Sequence, residues 1–116
     1  MEPYLTLDGS LIWEFIRPES HGSRKLSLAL AEVESGTATR PHRHVNSEEV
    51  YYVLSGEGEL TVADELEHLR PGEAALIRAG DVHSIRCLSA EPLRILCCCA
   101  PPYRHEDTEL LEGPAA

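Results

Sequence analysis

Apolar positions in this chain recur with a period of two, in short runs broken by Gly, Pro, Asp and Ser. A pleated strand sends successive side chains to opposite faces, so that period signals strands; helical periodicity is weak throughout. The pattern predicts strands at residues 4–7, 12–16, 25–32, 39–44, 49–54, 58–62, 66–69, 74–77, 83–88 and 93–99. Between them stand Asp8-Gly9-Ser10, Ser35-Gly36, Ser55-Gly56, Ala63-Asp64-Glu65, Arg70-Pro71-Gly72 and Ala79-Gly80-Asp81. These residue types tolerate positive φ or bond back to the backbone, which is turn chemistry. Many short strands so punctuated indicate an all-β barrel or sandwich. The tail, residues 101–116, opens on two prolines and turns acidic. No central strand accommodates that, so the tail is expected to wrap the outside or to form a short helix at 107–111.

The run 49–54 is apolar on two sides. Glu49, Tyr51 and Val53 share one parity, and Val50, Tyr52 and Leu54 share the other. A strand with one wet face alternates more cleanly. Both faces should therefore be covered, the second by another copy of the chain in a homodimer or by the N-terminal strands.

A length of 116 residues supports a single domain, 1–116, with one core and no second domain or fused effector. The formal charge of -10 offers no basic face to a phosphate backbone or an anionic membrane. Nucleic acid and membrane are therefore not expected partners. No apolar run reaches the length of a membrane span, and Met1-Glu2-Pro3-Tyr4 has no basic or apolar leader region. The four cysteines are Cys87, Cys97, Cys98 and Cys99, three of them adjacent. Neighbours on a strand point to opposite faces, which is a poor disulfide framework. Free thiols in a cytoplasmic protein are expected.

The chemistry-bearing residues are few. His42 and His44 lie two apart and project from one face of a strand, as two ligands of one ion must. Glu49 has the wrong parity for an unbroken strand, but Asn46-Ser47 supplies a turn that resets the register. His83 follows the turn at Gly80-Asp81 and enters another strand, where it can converge with the others. His21, His68 and His105 have no partner at ligand spacing and read as ordinary surface or core residues.

The glycines around these residues carry a resemblance. Gly36, five residues, His42, one, His44, four, Glu49, six, Gly56 resembles the first cupin motif throughout. Gly72, five residues, Arg78, one, Gly80, two, His83, three, Cys87 resembles the second. That second motif departs from the family at Arg78, where proline is usual, and at Cys87, where asparagine is usual. The short stretch between Gly56 and Gly72 is similar to that of small single-domain microbial cupins. The resemblance implies a double-stranded β-helix, or jelly-roll barrel, with a conserved core at about 25–100. It also implies a metal in the barrel mouth on His42, His44, Glu49 and His83, with Glu49 preferred to its neighbour Glu48.

Three imidazoles and a carboxylate suit one divalent transition metal ion, Mn, Fe, Ni, Cu, Co or Zn. Four protein ligands leave a position open, as in catalytic sites. With the ion the set carries one net positive charge, which attracts a small anion. Two functions follow. One is a metal-dependent enzyme acting on a small molecule, with oxygenase- or lyase-like chemistry ranked above sugar-phosphate isomerisation because few basic residues are placed to clamp a phosphate. The alternative is a non-catalytic barrel that holds a small ligand or a metal. Tyr51 and Arg43 are candidate assistants. Cys87, Cys97 and Cys99 share inward parity, either as small core residues or as part of the pocket lining.

Overall fold

A computed structural model describes residues 2–111. Among these, one sheet has the strand order β1 (Tyr4–Leu5), β2 (Leu11–Ile16), β3 (Ser27–Val33), β10 (Leu93–Ala100), β5 (Glu48–Ser55) and β8 (Ala74–Ile77). The second runs β11 (Thr108–Leu110), β4 (His42–His44), β9 (His83–Cys87), β6 (Gly58–Val62) and β7 (Glu65–Leu69). Every pairing is antiparallel. From β3 to β11 the chain changes sheet at each step except the β6–β7 hairpin. That alternation is the double-stranded β-helix.

The core lies between the sheets. Val53, Leu60, Ile77, Ile85, Leu93 and Ile95 are essentially buried. Each contributes roughly 1.5–3 kcal/mol relative to exposure. All ten predicted strands are present, two of them (58–62 and 74–77) with the predicted bounds and the rest with shifted ends. The largest shift has a cause in the residues. The strand expected from residue 39 begins at His42, because Pro41 has no N–H and Thr39 bonds differently. The Thr39 amide donates to the Ile85 carbonyl at 2.9 Å, and its hydroxyl accepts from the Ile85 amide at 3.0 Å.

Two local elements correct the expectations. Pro18–His21 forms one helical turn, α1, that strand periodicity could not reveal; Pro18 presets its first φ and Gly22 closes it at φ 69°. The helix expected at 107–111 is absent. A 3-10 turn at His105–Asp107 leads into the edge strand β11, which pairs Thr108, Glu109 and Leu110 with His44, Arg43 and His42. The open edge of β4 offers a ladder that the tail completes. Residues 112–116 of the expected tail lie outside the described residues.

The expectation that the N-terminal strands cover the second face of β5 is also overturned. β1 and β2 extend the same sheet beyond β3 and leave that face open. Val50, Tyr52, Leu54 and Leu76 are 40%, 41%, 47% and 52% exposed. No helix among the described residues is long and apolar enough to cross a membrane.

Candidate metal centre

His42 and His44 point inward from β4, and Arg43 between them points out to Glu109 at 2.7 Å. His83, at the start of β9, is the direct cross-strand partner of His42. The ring centroids of His42 and His83 are 4.2 Å apart, those of His42 and His44 5.3 Å, and those of His44 and His83 5.6 Å. Glu49 arrives from the other sheet. Its Oε1 lies 3.2 Å from His44 Nε2 and 3.6 Å from His83 Nε2. All four residues are buried. Glu48 is exposed on the opposite face of β5. The geometry thus brings together the four residues singled out in the sequence.

Two tethers hold this arrangement. The Gly80 amide donates to the His44 carbonyl at 2.7 Å, which ties the turn before His83 to β4. Gly80 has φ 85°, a conformation that favours glycine. The turn between His44 and Glu49 is clamped from the tail. The Asp107 carboxylate accepts from the Asn46 amide at 3.0 and 3.1 Å, from the Asn46 side chain at 2.7 Å and from the Ser47 amide at 3.2 Å.

Each imidazole is fixed through its outer nitrogen. His42 Nδ1 donates to the Arg40 carbonyl at 2.9 Å, and His83 Nδ1 donates to the Asp81 carbonyl at 3.0 Å. Thr108 spends its hydroxyl proton on the Arg104 carbonyl at 3.0 Å, so its oxygen accepts from His44 Nδ1 at 3.0 Å. The acceptors assign the protons: each Nδ1 is the donor and each Nε2 faces the centre. His83 Nε2 is buried with no hydrogen-bond partner. A buried polar atom left unpaired is costly and calls for a partner. Oriented imidazoles whose other nitrogen is tied to a carbonyl or hydroxyl are how proteins present histidine to a metal. The residues fit a divalent ion.

Without an ion the electrostatics treat the imidazoles differently. Burial lowers the His42 pKa, reinforced by the facing His83, so His42 favours its neutral form. Burial also opposes charge on His44 and Glu49, but their mutual hydrogen bond and attraction outweigh it. His44 is raised and Glu49 is held well below the usual carboxylate range.

A cavity of about 50 Å³ opens beside the imidazoles, lined in part by Asp8, Tyr51, Cys97, Cys99 and Tyr103. The sequence reading missed two of these contributors. Asp8 was legible only as a turn residue. Its Oδ1 accepts from Thr6 and Ser10, and its Oδ2 lies 3.5 Å from His42 Nε2. Tyr103 lies in the tail, its ring edge-on to His44 at 5.7 Å. The cysteine parity is now resolved. Cys87 is buried away from the centre, bonded to the Ser89 and Glu91 carbonyls, whereas Cys97 and Cys99 line the cavity. All four cysteines are free. Cys99 Sγ donates to Glu49 Oε2 at 3.2 Å. Among the other histidines, His68 pairs with Glu57 at 2.8 Å and His105 with the Tyr103 hydroxyl at 2.9 Å. His21 is exposed.

The cupin domain family model matches residues 29–99, and the chain belongs to the cupin family. An uncharacterised protein of Methanocaldococcus jannaschii is 44% identical over 112 residues, covering 97% of this chain and 90% of that protein. A crystal structure from Thermus thermophilus superposes with TM-score 0.72 at 30% identity, covering 86% of this chain and 90% of that one. The oxalate decarboxylase of Lactobacillus farciminis superposes with TM-score 0.82 at 22% identity, covering 95% of this chain but 33% of that one. That likeness shows a shared fold.

Proposed function

We propose that this chain is a single-domain, metal-dependent enzyme acting on a small anionic molecule. The ion is held by His42, His44, His83 and Glu49. The observation that carries the reading is the convergence of three Nε2 atoms, each with its Nδ1 already spent on an outer acceptor, on a buried point where His83 Nε2 lacks a partner.

When bound, a divalent ion there supplies a Lewis acid or redox centre with an open position. The chain supplies the rest. Glu49 brings the one negative charge among the four ligands, so the loaded site keeps a positive charge that draws in a small anion. Tyr51 and Tyr103 wall the cavity, and burial keeps both hydroxyls protonated, Tyr103 being pushed up to about 12. Asp8 presents a carboxylate oxygen at 3.5 Å from His42 Nε2, where it can accept a proton from a bound group. A cavity of about 50 Å³ admits a substrate of only a few heavy atoms beside the ion. No lysine or arginine lines it among the described residues, which disfavours a phosphosugar. Oxygenase- or lyase-type chemistry on a small carboxylate fits these walls best. The oxalate decarboxylase fold neighbour makes small dicarboxylates a sensible start to the screen.

The protein is further taken to be a cytoplasmic homodimer joined through the exposed apolar face around Tyr52 and Leu76. The test of function is elemental analysis of tag-free protein beside His83→Ala, followed by dioxygen-uptake and carbon-dioxide-release assays on small carboxylates. A stoichiometric ion lost in the variant, with turnover, is expected. An ion without turnover across the screen would make the chain a binding barrel. No ion after incubation with each candidate metal would refute the centre.

A further inference from the structure

We propose that Cys99 supplies a fifth ligand, a sulfur, to the ion held by His42, His44, His83 and Glu49. The proposal rests on the metal-centre reading above.

The strand register is the first ground. Cys99 on β10 is the direct cross-strand partner of Glu49 on β5, so both side chains leave the same face at the same level. Cys99 Sγ comes to 3.2 Å from Glu49 Oε2. The donor atoms of His44, Glu49 and Cys99 all lie within 4.8 Å of one another, as do those of His42, His44 and His83. Ligands at about 2.0–2.3 Å from one ion lie at most roughly 4.5 Å apart, so a single ion on both triads requires side-chain rotations that carry Cys99 toward His42 and His83, with which it forms no group as the structure stands. The triads share His44. The second ground is independent of sulfur: His83 Nε2, buried and unpartnered, marks the same centre as a place that lacks a ligand.

The other thiols do not compete. Cys87 is engaged with backbone carbonyls elsewhere. The hydrogen-bond contact of Cys97 Sγ is its neighbour Ile95's carbonyl at 3.9 Å. Cys98 has the outward parity of β10.

Ligation exchanges one bond for another. The Cys99 S–H proton leaves for solvent as the sulfur–metal bond forms, and the ion keeps its oxidation state. Two anionic ligands then balance a divalent ion, so the positive charge of the four-residue set would be cancelled and a small anion would be held by the ion's open position rather than by net charge. A thiolate biases the site toward Fe, Co, Ni, Cu or Zn and away from Mg or Mn.

The experiment is an anaerobic titration of chelator-stripped, tag-free protein with cobalt(II) chloride, read by absorption, in wild type, Cys99→Ser and Cys97→Ser. Cobalt d–d bands report binding at the centre, and a near-ultraviolet charge-transfer band reports sulfur. The expected result is both signals saturating together at one equivalent. Cys99→Ser should lose the charge-transfer band and keep d–d absorption; Cys97→Ser should keep both. Serine preserves a donor to Glu49, and circular dichroism checks the fold. X-ray absorption of the wild-type cobalt protein should show a sulfur scatterer, which covers the case of a misfolded variant. Saturable d–d bands without charge transfer in wild type, or a charge-transfer band that survives Cys99→Ser, would overturn the sulfur ligand and leave the four-residue centre standing. No d–d signal at all would overturn both.

Discussion

Glu49 Oε1 lies 3.2 Å from His44 Nε2, and the two residues belong to different sheets. Without a bound ion this pair carries its own pH dependence. His44 is raised, so its contribution is complete below the unfolded imidazole value of about 6.5 and is lost as pH rises through the folded value. Glu49 is depressed, so its contribution is complete above the unfolded carboxylate value of about 4.3 and is lost as pH falls toward the folded one. His42, which is lowered, works against His44 on acidification. The pair itself should therefore add most to apoprotein stability at roughly pH 4.3–6.5. Urea unfolding of chelator-treated wild type and Glu49→Gln across pH should give a difference that peaks there and shrinks on both sides. A flat difference would mean that the pair is not ionic.

Thr108 should matter to the centre without touching an ion. Its oxygen holds His44 Nδ1 at 3.0 Å. Thr108→Val keeps the shape and removes the acceptor. Calorimetric titration should show metal affinity weakened by about 10–100-fold. Unchanged affinity would show that β11 pairing alone orients the ring.

The open face of β5 and β8 predicts self-association. Light scattering should give twice the 12.8 kDa chain mass, and Tyr52→Arg should give a monomer that still binds metal. A wild-type monomer at micromolar concentration would leave this face without a second copy.

Gly56 should tolerate no side chain. Its φ is 78°, and a Cβ would come to 2.7 Å from the Pro92 carbonyl oxygen and 2.8 Å from Leu93 Cα. Gly56→Ala should cost about 2 kcal/mol or more in denaturant unfolding. Gly36 has a similar φ of 76° but open space at its Cβ, so Gly36→Ala should cost about 1 kcal/mol. Equal losses would mean that backbone strain, not collision, dominates.

The sequence was most informative where chemistry and period coincide. His42 and His44 on one strand face, the register-resetting turn and the inward parity of Cys97 and Cys99 follow from a two-residue repeat. The glycine spacing carried the likeness that the family match now shows. What was hidden came from outside that local window. Asp8 reads as a turn residue because only the fold carries it to His42. Thr108 looks like part of a polar tail because its strand is defined by the open edge of β4 rather than by its own propensity. The Cys99–Glu49 contact required the β10–β5 register, which no single segment encodes.

The tail strand also bears on timing. β4 carries two of the four clustered residues, and its neighbours are β9 and β11, both later in the chain. Asp107 and Thr108 clamp the turn before Glu49 and the ring of His44. While the chain is being synthesised, N-terminal parts emerge first. The barrel core can therefore gather before residue 107 is made, whereas His44 lacks its Thr108 acceptor until then. The ring of His44 gains its Thr108 acceptor only when β11 pairs with the edge of β4, so that imidazole is the last of the three to be fixed.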